Sequence, residues 1–191
     1  MSQALNEAVC QINPTLGSFK SNIEKISLSY KNAIDNGADL VVFPEMSITG
    51  YPPQDLLSNN QFIKRNLECL NQFSSGVTKP CILGFVDYKS GKKFNSAAVC
   101  HDGEIVYKYD KIHLPNYDVF DERRYFTNGD LIGIFSININ QKDYKIGLQI
   151  CEDLWEDDYE RKISEELIQL KPDLIVNISA SPFAHNRKDE R

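Results

Sequence analysis

The feature that most narrows the fold is a pair of apolar segments separated by one amphipathic stretch near the N-terminus. Ala4 to Ile12 reads as a strand closed by Asn13-Pro14, and Leu40 to Phe43 is a short, unbroken apolar run, as in a strand covered on both faces. Between them Phe19, Ile23, Ile26, Tyr30 and Ala33 recur at steps of four and three, so one apolar face runs down a helix. Gly37 stands where a helix C-terminal glycine is expected. Strand, helix and strand in this order make a parallel crossover unit, which points to an α/β protein.

The rest of the chain continues the mixture. A long loop from Pro44 to Asn60 is punctuated by Gly50 and Pro52-Pro53, and Phe62, Ile63, Leu67 and Leu70 mark a second helix. Strands are expected at Cys81 to Val86, Phe94 to Cys100 and Glu104 to Tyr109, joined by turns at Ser90-Gly91 and Asp102-Gly103. Lys111 to Asp130 shows no periodicity and is dense in charged and aromatic residues. A loop of about 20 residues inside a compact domain is uncommon and often functional. Ile132 to Ile139, Tyr144 to Ile150 and Asp173 to Ser179 read as strands, and Asp157 to Leu170 as a helix. The charged stretch from Phe183 to Arg191 stops as if a helix were beginning, so the chain is expected to be cut from something longer.

Composition excludes several classes. With 191 residues, 41% apolar and 25% charged, the chain suits one globular domain with a real core. A net charge of −6 argues against a general binder of nucleic acid or anionic membrane. No apolar run approaches the roughly 18 residues of a membrane span, and Met1 to Glu7 lacks a signal-peptide pattern. A cytoplasmic protein is expected. Cys10, Cys69, Cys81, Cys100 and Cys151 are odd in number and widely spaced, which favours free thiols. His101, His113 and His185 show no paired ligand spacing, so no metal site is expected.

Three residues stand where chemistry would be placed. Cys151 ends the apolar strand Lys145 to Ile150 and precedes Glu152-Asp153-Leu154-Trp155, a position where α/β folds put nucleophiles and where a following helix would favour thiolate. Pro44 ends the Leu40 strand and sets Glu45 at its lip. Lys111 leaves a hairpin in Tyr107-Lys-Tyr-Asp-Lys111-Ile-His-Leu-Pro115. Taken singly, these read more readily as a buried strand cysteine, a solvated loop carboxylate and a surface lysine. Together, a carboxylate base, a cation and a thiol would make an acyl-transfer site.

Phe43-Pro44-Glu45, the Lys111 segment and Cys151-Glu152-Asp153 resemble, in order, the three signatures of the nitrilase, or carbon–nitrogen hydrolase, superfamily. The resemblance runs from the first strand to Ser179-Ala-Ser-Pro-Phe183. It implies a four-layer α-β-β-α sandwich, here truncated at its C-terminal end, with a Glu–Lys–Cys triad. A narrower resemblance follows from Thr49-Gly50-Tyr51-Pro52-Pro53-Gln54-Asp55-Leu56-Leu57, Leu114-Pro115-Asn116-Tyr117 and Val119-Phe120-Asp121-Glu122-Arg123-Arg124-Tyr125-Phe126. These are similar to the glutaminase domain of the glutamine-dependent NAD synthetases. Asn128 departs from the Pro or Ala usual in that family.

By this resemblance Cys151 is the nucleophile, Glu45 the general base, Lys111 the third triad member and Glu122 an additional active-site glutamate. Tyr117, Ser181 and Arg187 fall on glutamine-binding positions. Residues 1–191 would then be an incomplete glutaminase domain, with the synthetase domain of the same polypeptide lying beyond Arg191. The glutaminase step would need no cofactor; ATP with magnesium would serve the absent synthetase domain, and the full-length protein would be a homo-oligomer. Two rivals share these residues: a free-standing amidase or carbamoylase, and a catalytically silent fragment serving in assembly.

Overall fold

A computed structural model describes residues 4–181. β1 (Glu7–Val9), β2 (Leu40–Val42), β3 (Cys81–Lys89), β4 (Lys92–His101) and β5 (Glu104–Asp110) form one sheet in that spatial order, parallel across β1, β2 and β3 and antiparallel beyond. β6 (Gly133–Ile139), β7 (Lys142–Ile150) and β8 (Leu174–Ile178) form a second sheet, with β8 parallel to β7. Helices α1 (Phe19–Asp35) and α2 (Asn60–Ser74) belong to the first sheet, and α3 (Ile163–Gln169) to the second.

Strand alternation sorts the side chains into layers. Val41, Phe43, Cys81, Leu83, Phe85, Ala98 and Cys100 pack with Ile26 and Tyr30 of α1 and Leu70 and Phe73 of α2. Their alternate neighbours Leu40, Val42, Ile82, Ala97 and Val99 pack instead with Ile146, Leu148 and Ile150 of β7, filling the space between the sheets. On the outer face of β7, Gly147 leaves room for Leu167 of α3, and Gln149 donates to the Ser164 hydroxyl at 3.0 Å. This is the expected α-β-β-α sandwich.

Two elements fall short of their patterns by more than a residue at either end. β1 covers only Glu7–Val9, because its partner β2 is itself three residues long and Pro44 ends it. The helix expected from Asp157 begins only at Ile163. The acidic residues before it turn back on the chain: Glu156 accepts the Ser164 N–H at 2.9 Å, and Lys162 reaches the Glu156 and Asp157 carbonyls at 2.6 and 2.9 Å. Side chains that cap a helix start compete with its extension.

Both ends of the sandwich carry a polar tie. At the end where β2 begins, buried Asp39 accepts from Asn140 in the β6–β7 turn (2.7 Å), from the Asn6 N–H (3.2 Å) and from Lys79 (3.5 Å), so it joins the two sheets. Burial alone would raise its carboxyl, but the bonds from Asn140, Asn6 and Lys79 outweigh this and hold it below the ordinary aspartate range. A depressed carboxyl contributes stability above its unfolded value and loses it as pH falls through the folded one. Asp39→Ala is therefore expected to cost about 1–3 kcal/mol at pH 7, with the gap to wild type closing below about pH 4. Urea unfolding at pH 7 and pH 3 measures this; an equal gap at both would discount the ionised bond.

Candidate active site

The sites of interest lie at the opposite end, where β2, β5 and β7 emit Glu45, Lys111 and Cys151. Glu45 follows Pro44 into a tight turn laid directly on β3. Any side chain at Gly84 would strike the backbone of Glu45 and Met46, so the missing Cβ lets the carboxylate enter the interior. Glu45 is 2% exposed and Lys111 1% exposed, which removes the solvated reading of both.

Lys111 lies between two carboxylates. Its Nζ is 2.9 Å from Glu45 Oε1 and 2.9 Å from Glu122 Oε1. Glu122 arrives on a 3₁₀ turn (Glu122–Arg124) inside the long aperiodic loop. Asn95, on β4, bridges the pair by donating to Glu45 at 2.7 Å and Glu122 at 3.2 Å. The Tyr51 hydroxyl adds a bond to Glu122 at 2.9 Å, and the Ala180 N–H donates to Glu45 Oε2 at 3.0 Å. Burial would lower the Lys111 pKa, yet Glu45 and Glu122 hold it well above the ordinary lysine value. Glu122 moves the other way for a carboxylate: burial raises it, and Lys111 only partly offsets the rise. Among the described residues every hydrogen-bond partner of Glu45 is a donor: Asn95, Lys111 and the Ala180 N–H.

Cys151 sits at a sharp bend between β7 and the 3₁₀ turn Cys151–Leu154, with φ 46°. That left-handed value is uncommon outside glycine and marks a strained strand-to-turn corner. Its N–H donates to Asn177 Oδ1 on β8 at 2.8 Å, and its sulfur lies 3.4 Å from the Ser181 hydroxyl. The expected helix dipole is missing, since only a four-residue turn follows. Burial first, and the Glu45 charge second, push the thiol up to about 11, with Lys111 pulling the other way. At neutral pH the resting group is a thiol, so a base would have to remove its proton for the sulfur to act as a nucleophile.

A cavity of about 510 Å³ opens onto Cys151 and is lined by Tyr117, Glu152, Trp155, Tyr159 and Ser181 among others. Glu152 is buried there, and its carboxylate accepts the Tyr117 hydroxyl at 2.9 Å and the Tyr159 hydroxyl at 3.1 Å. No ion pair reaches it among the described residues. Burial and Glu152 together raise the Tyr159 phenol to about 12.

Of the residues singled out in the sequence, the structure thus joins Glu45, Lys111 and Glu122 directly, and puts Cys151, Tyr117 and Ser181 on one cavity. Arg187 lies outside the described residues. Motif reading assigned no role to Asn95, Asn177 or Glu152. Asn95 carried a usable signal, a lone amide inside the otherwise apolar run of a central strand.

The carbon–nitrogen hydrolase family pattern matches residues 8–185. This chain belongs to the carbon–nitrogen hydrolase family. Among curated proteins, it is 42% identical over 184 residues to the glutamine-dependent NAD(+) synthetase of Thermotoga maritima, a match covering 94% of this chain and 30% of that protein. It is 34% identical to the synthetase of Acinetobacter baylyi, over 96% of this chain and 33% of that one. The chain therefore spans about a third of the length of these relatives. The solved glutamine-dependent NAD+ synthetase of Acinetobacter baumannii superposes with a TM-score of 0.88 at 34% identity, over 97% of this chain and 34% of that chain. An amidase from Nesterenkonia sp. superposes at 0.79 with 15% identity, over 95% of this chain and 67% of its own, and shares the fold.

Proposed function

We propose that the chain is the glutaminase part of a longer glutamine-dependent NAD synthetase and hydrolyses the side-chain amide of L-glutamine. Glu45 takes the Cys151 proton as sulfur attacks the amide carbon, and delivers it to the departing ammonia as the C–N bond breaks. The glutamyl thioester is then cleaved by water, which Glu45 deprotonates; the proton returns to sulfur and glutamate leaves. Lys111 donates to Glu45 Oε1 at 2.9 Å and to both Glu122 oxygens at 2.9 and 3.1 Å, and sharing one N–H between the two Glu122 oxygens frees the third for the oxyanion. The Cys151 N–H is already taken by Asn177 and serves no such purpose. Glu122, Asn95 and Tyr51 hold the lysine in place. Tyr117, Ser181 and Arg187 bind the amino-acid end of the substrate. In the full-length protein the ammonia would feed ATP- and magnesium-dependent conversion of deamido-NAD to NAD in a separate domain.

One observation carries the choice of an amino-acid amide over a simple amide. A buried carboxylate without a cation is costly, and among the described residues no cation pairs with Glu152, which lies beside the nucleophile inside the cavity. The α-ammonium of glutamine supplies the missing charge. Glu152→Gln in the full-length protein should raise the glutamine KM about 30-fold or more, given about 2–3 kcal/mol for a buried charged bond. It should leave cleavage of butyramide, which lacks the ammonium, within about threefold. Equal losses on both amides would remove the argument for glutamine and favour a free-standing amidase.

A further inference from the structure

Asp153, two residues after Cys151, is wholly buried. One of its oxygens accepts the backbone N–H groups of Ile112 (3.0 Å) and His113 (2.8 Å). The other accepts the Ile150 N–H (2.9 Å) and the Tyr109 hydroxyl (2.8 Å). Ile112 and His113 directly follow Lys111, and Ile150 directly precedes Cys151. Lys111 leaves the first sheet through β5, whereas Cys151 leaves the second through β7. We propose that Asp153 is a positioning residue, which fixes the Lys111 ammonium relative to the Cys151 thiol by gripping the backbone beside each.

The grip needs a carboxylate. Four donors converge on two oxygens, and an amide nitrogen in either position would face donors with a donor of its own. General cohesion of the sheets is an insufficient reason for the arrangement. The inter-sheet core supplies that along the whole interface, and Asp39 ties the far end. Asp153 acts only where the lysine and the cysteine emerge. A displacement of about 1 Å between reacting groups costs about 100-fold in rate, so a tie with this reach has kinetic weight.

The inference rests on the proposed acyl-transfer site, and thiol chemistry tests it without reference to glutamine. In the full-length protein, iodoacetamide labelling of Cys151 would be followed by peptide mapping from pH 6 to pH 10, beside kcat and KM for glutamine. For Asp153→Asn the labelling profile is expected to move to higher pH, with the rate at pH 8 about tenfold lower, because the lysine cation no longer adjoins the forming thiolate. The kcat should fall about 100-fold with KM within about threefold. Asp39→Ala, which weakens the other tie, should lose stability while keeping the wild-type profile and kcat. Asp153→Asn with wild-type profile and kcat would overturn the proposal. If that variant does not fold, Tyr109→Phe should shift the profile the same way with about threefold lower kcat, and no shift there would overturn it equally. A shifted profile in a protein that never used glutamine would keep the tie and discard the glutaminase reading.

Discussion

Cys151→Ala is expected to abolish ammonia release from glutamine, a loss of at least about 10⁴-fold in kcat, with no compensating route. A carboxamide resists direct attack by water, and the thioester divides that step in two. No other described thiol can substitute: Cys81 and Cys100 are fully buried on the helix-facing side of the first sheet, Cys69 lies in α2, and Cys10 has its sulfur against the Ser29 carbonyl. The stability cost should be modest, because the change removes one sulfur atom from the edge of the inter-sheet core beside the cavity and its contact with the Ser181 hydroxyl, while the N–H bond to Asn177 is retained. In the full-length protein, NAD formation from added ammonium should therefore stay within about twofold of wild type, since in the proposed mechanism Cys151 acts only on glutamine. Measuring ammonia release and ammonium-driven NAD formation on one preparation separates the outcomes. Wild-type glutamine use by Cys151→Ala would sink the nucleophile. Loss of both activities would tie the site to the other half-reaction or to folding.

How much of this was legible in the sequence depended on whether a residue's role is local or assembled. The crossover unit was visible because its apolar periods are intrinsic to each segment, and the turns at Ser90-Gly91 and Asp102-Gly103 were visible because both take the positive φ their residues favour. Asn140-Gln141 adopts the same turn without glycine and gave no such cue. The triad positions were each found at a strand exit, yet spacing could not bring them together. Residues 45, 111 and 151 meet only because two sheets stack, and that information lies in the packing. For the same reason, Asp153 looked like one more acidic residue after a cysteine. Its four partners come from β5, the segment after it, and β7. Resemblance supplied the missing juxtaposition for Glu45, Lys111 and Cys151, but Glu122 apart it said nothing of the groups holding them. Asn128 shows how a departure can be absorbed locally: its amide donates to the Ile112 carbonyl at 2.6 Å, next to the lysine.

The second large effect belongs to Lys111, and it joins catalysis to stability. Lys111→Met keeps most of the side-chain volume but leaves Glu45 and Glu122 buried together with, among the described residues, only Asn95, Tyr51 and a backbone N–H as donors. Breaking a buried ion pair from one side typically costs about 3–5 kcal/mol, because the remaining charge has lost its partner. The fold relieves this by taking up a proton. Each carboxylate would then hold its proton more tightly in the folded state than in the unfolded chain, where the glutamate value is about 4.3. With more protons bound when folded, stability rises as pH falls towards that value, the reverse of the behaviour of Asp39. The deficit against wild type should therefore be largest above pH 7 and should shrink by pH 5. Activity should not follow. A protonated Glu45 cannot accept the thiol proton, and the oxyanion has lost its donor, so kcat should remain at least about 10³-fold down at both pH values. Urea unfolding and glutamine hydrolysis at pH 7.5 and pH 5 test the two halves separately. A variant with wild-type stability at pH 7.5 would mean that the lysine does not bridge the carboxylates. A variant that regained activity along with stability at pH 5 would reduce Lys111 to a structural cation and remove it from the chemistry.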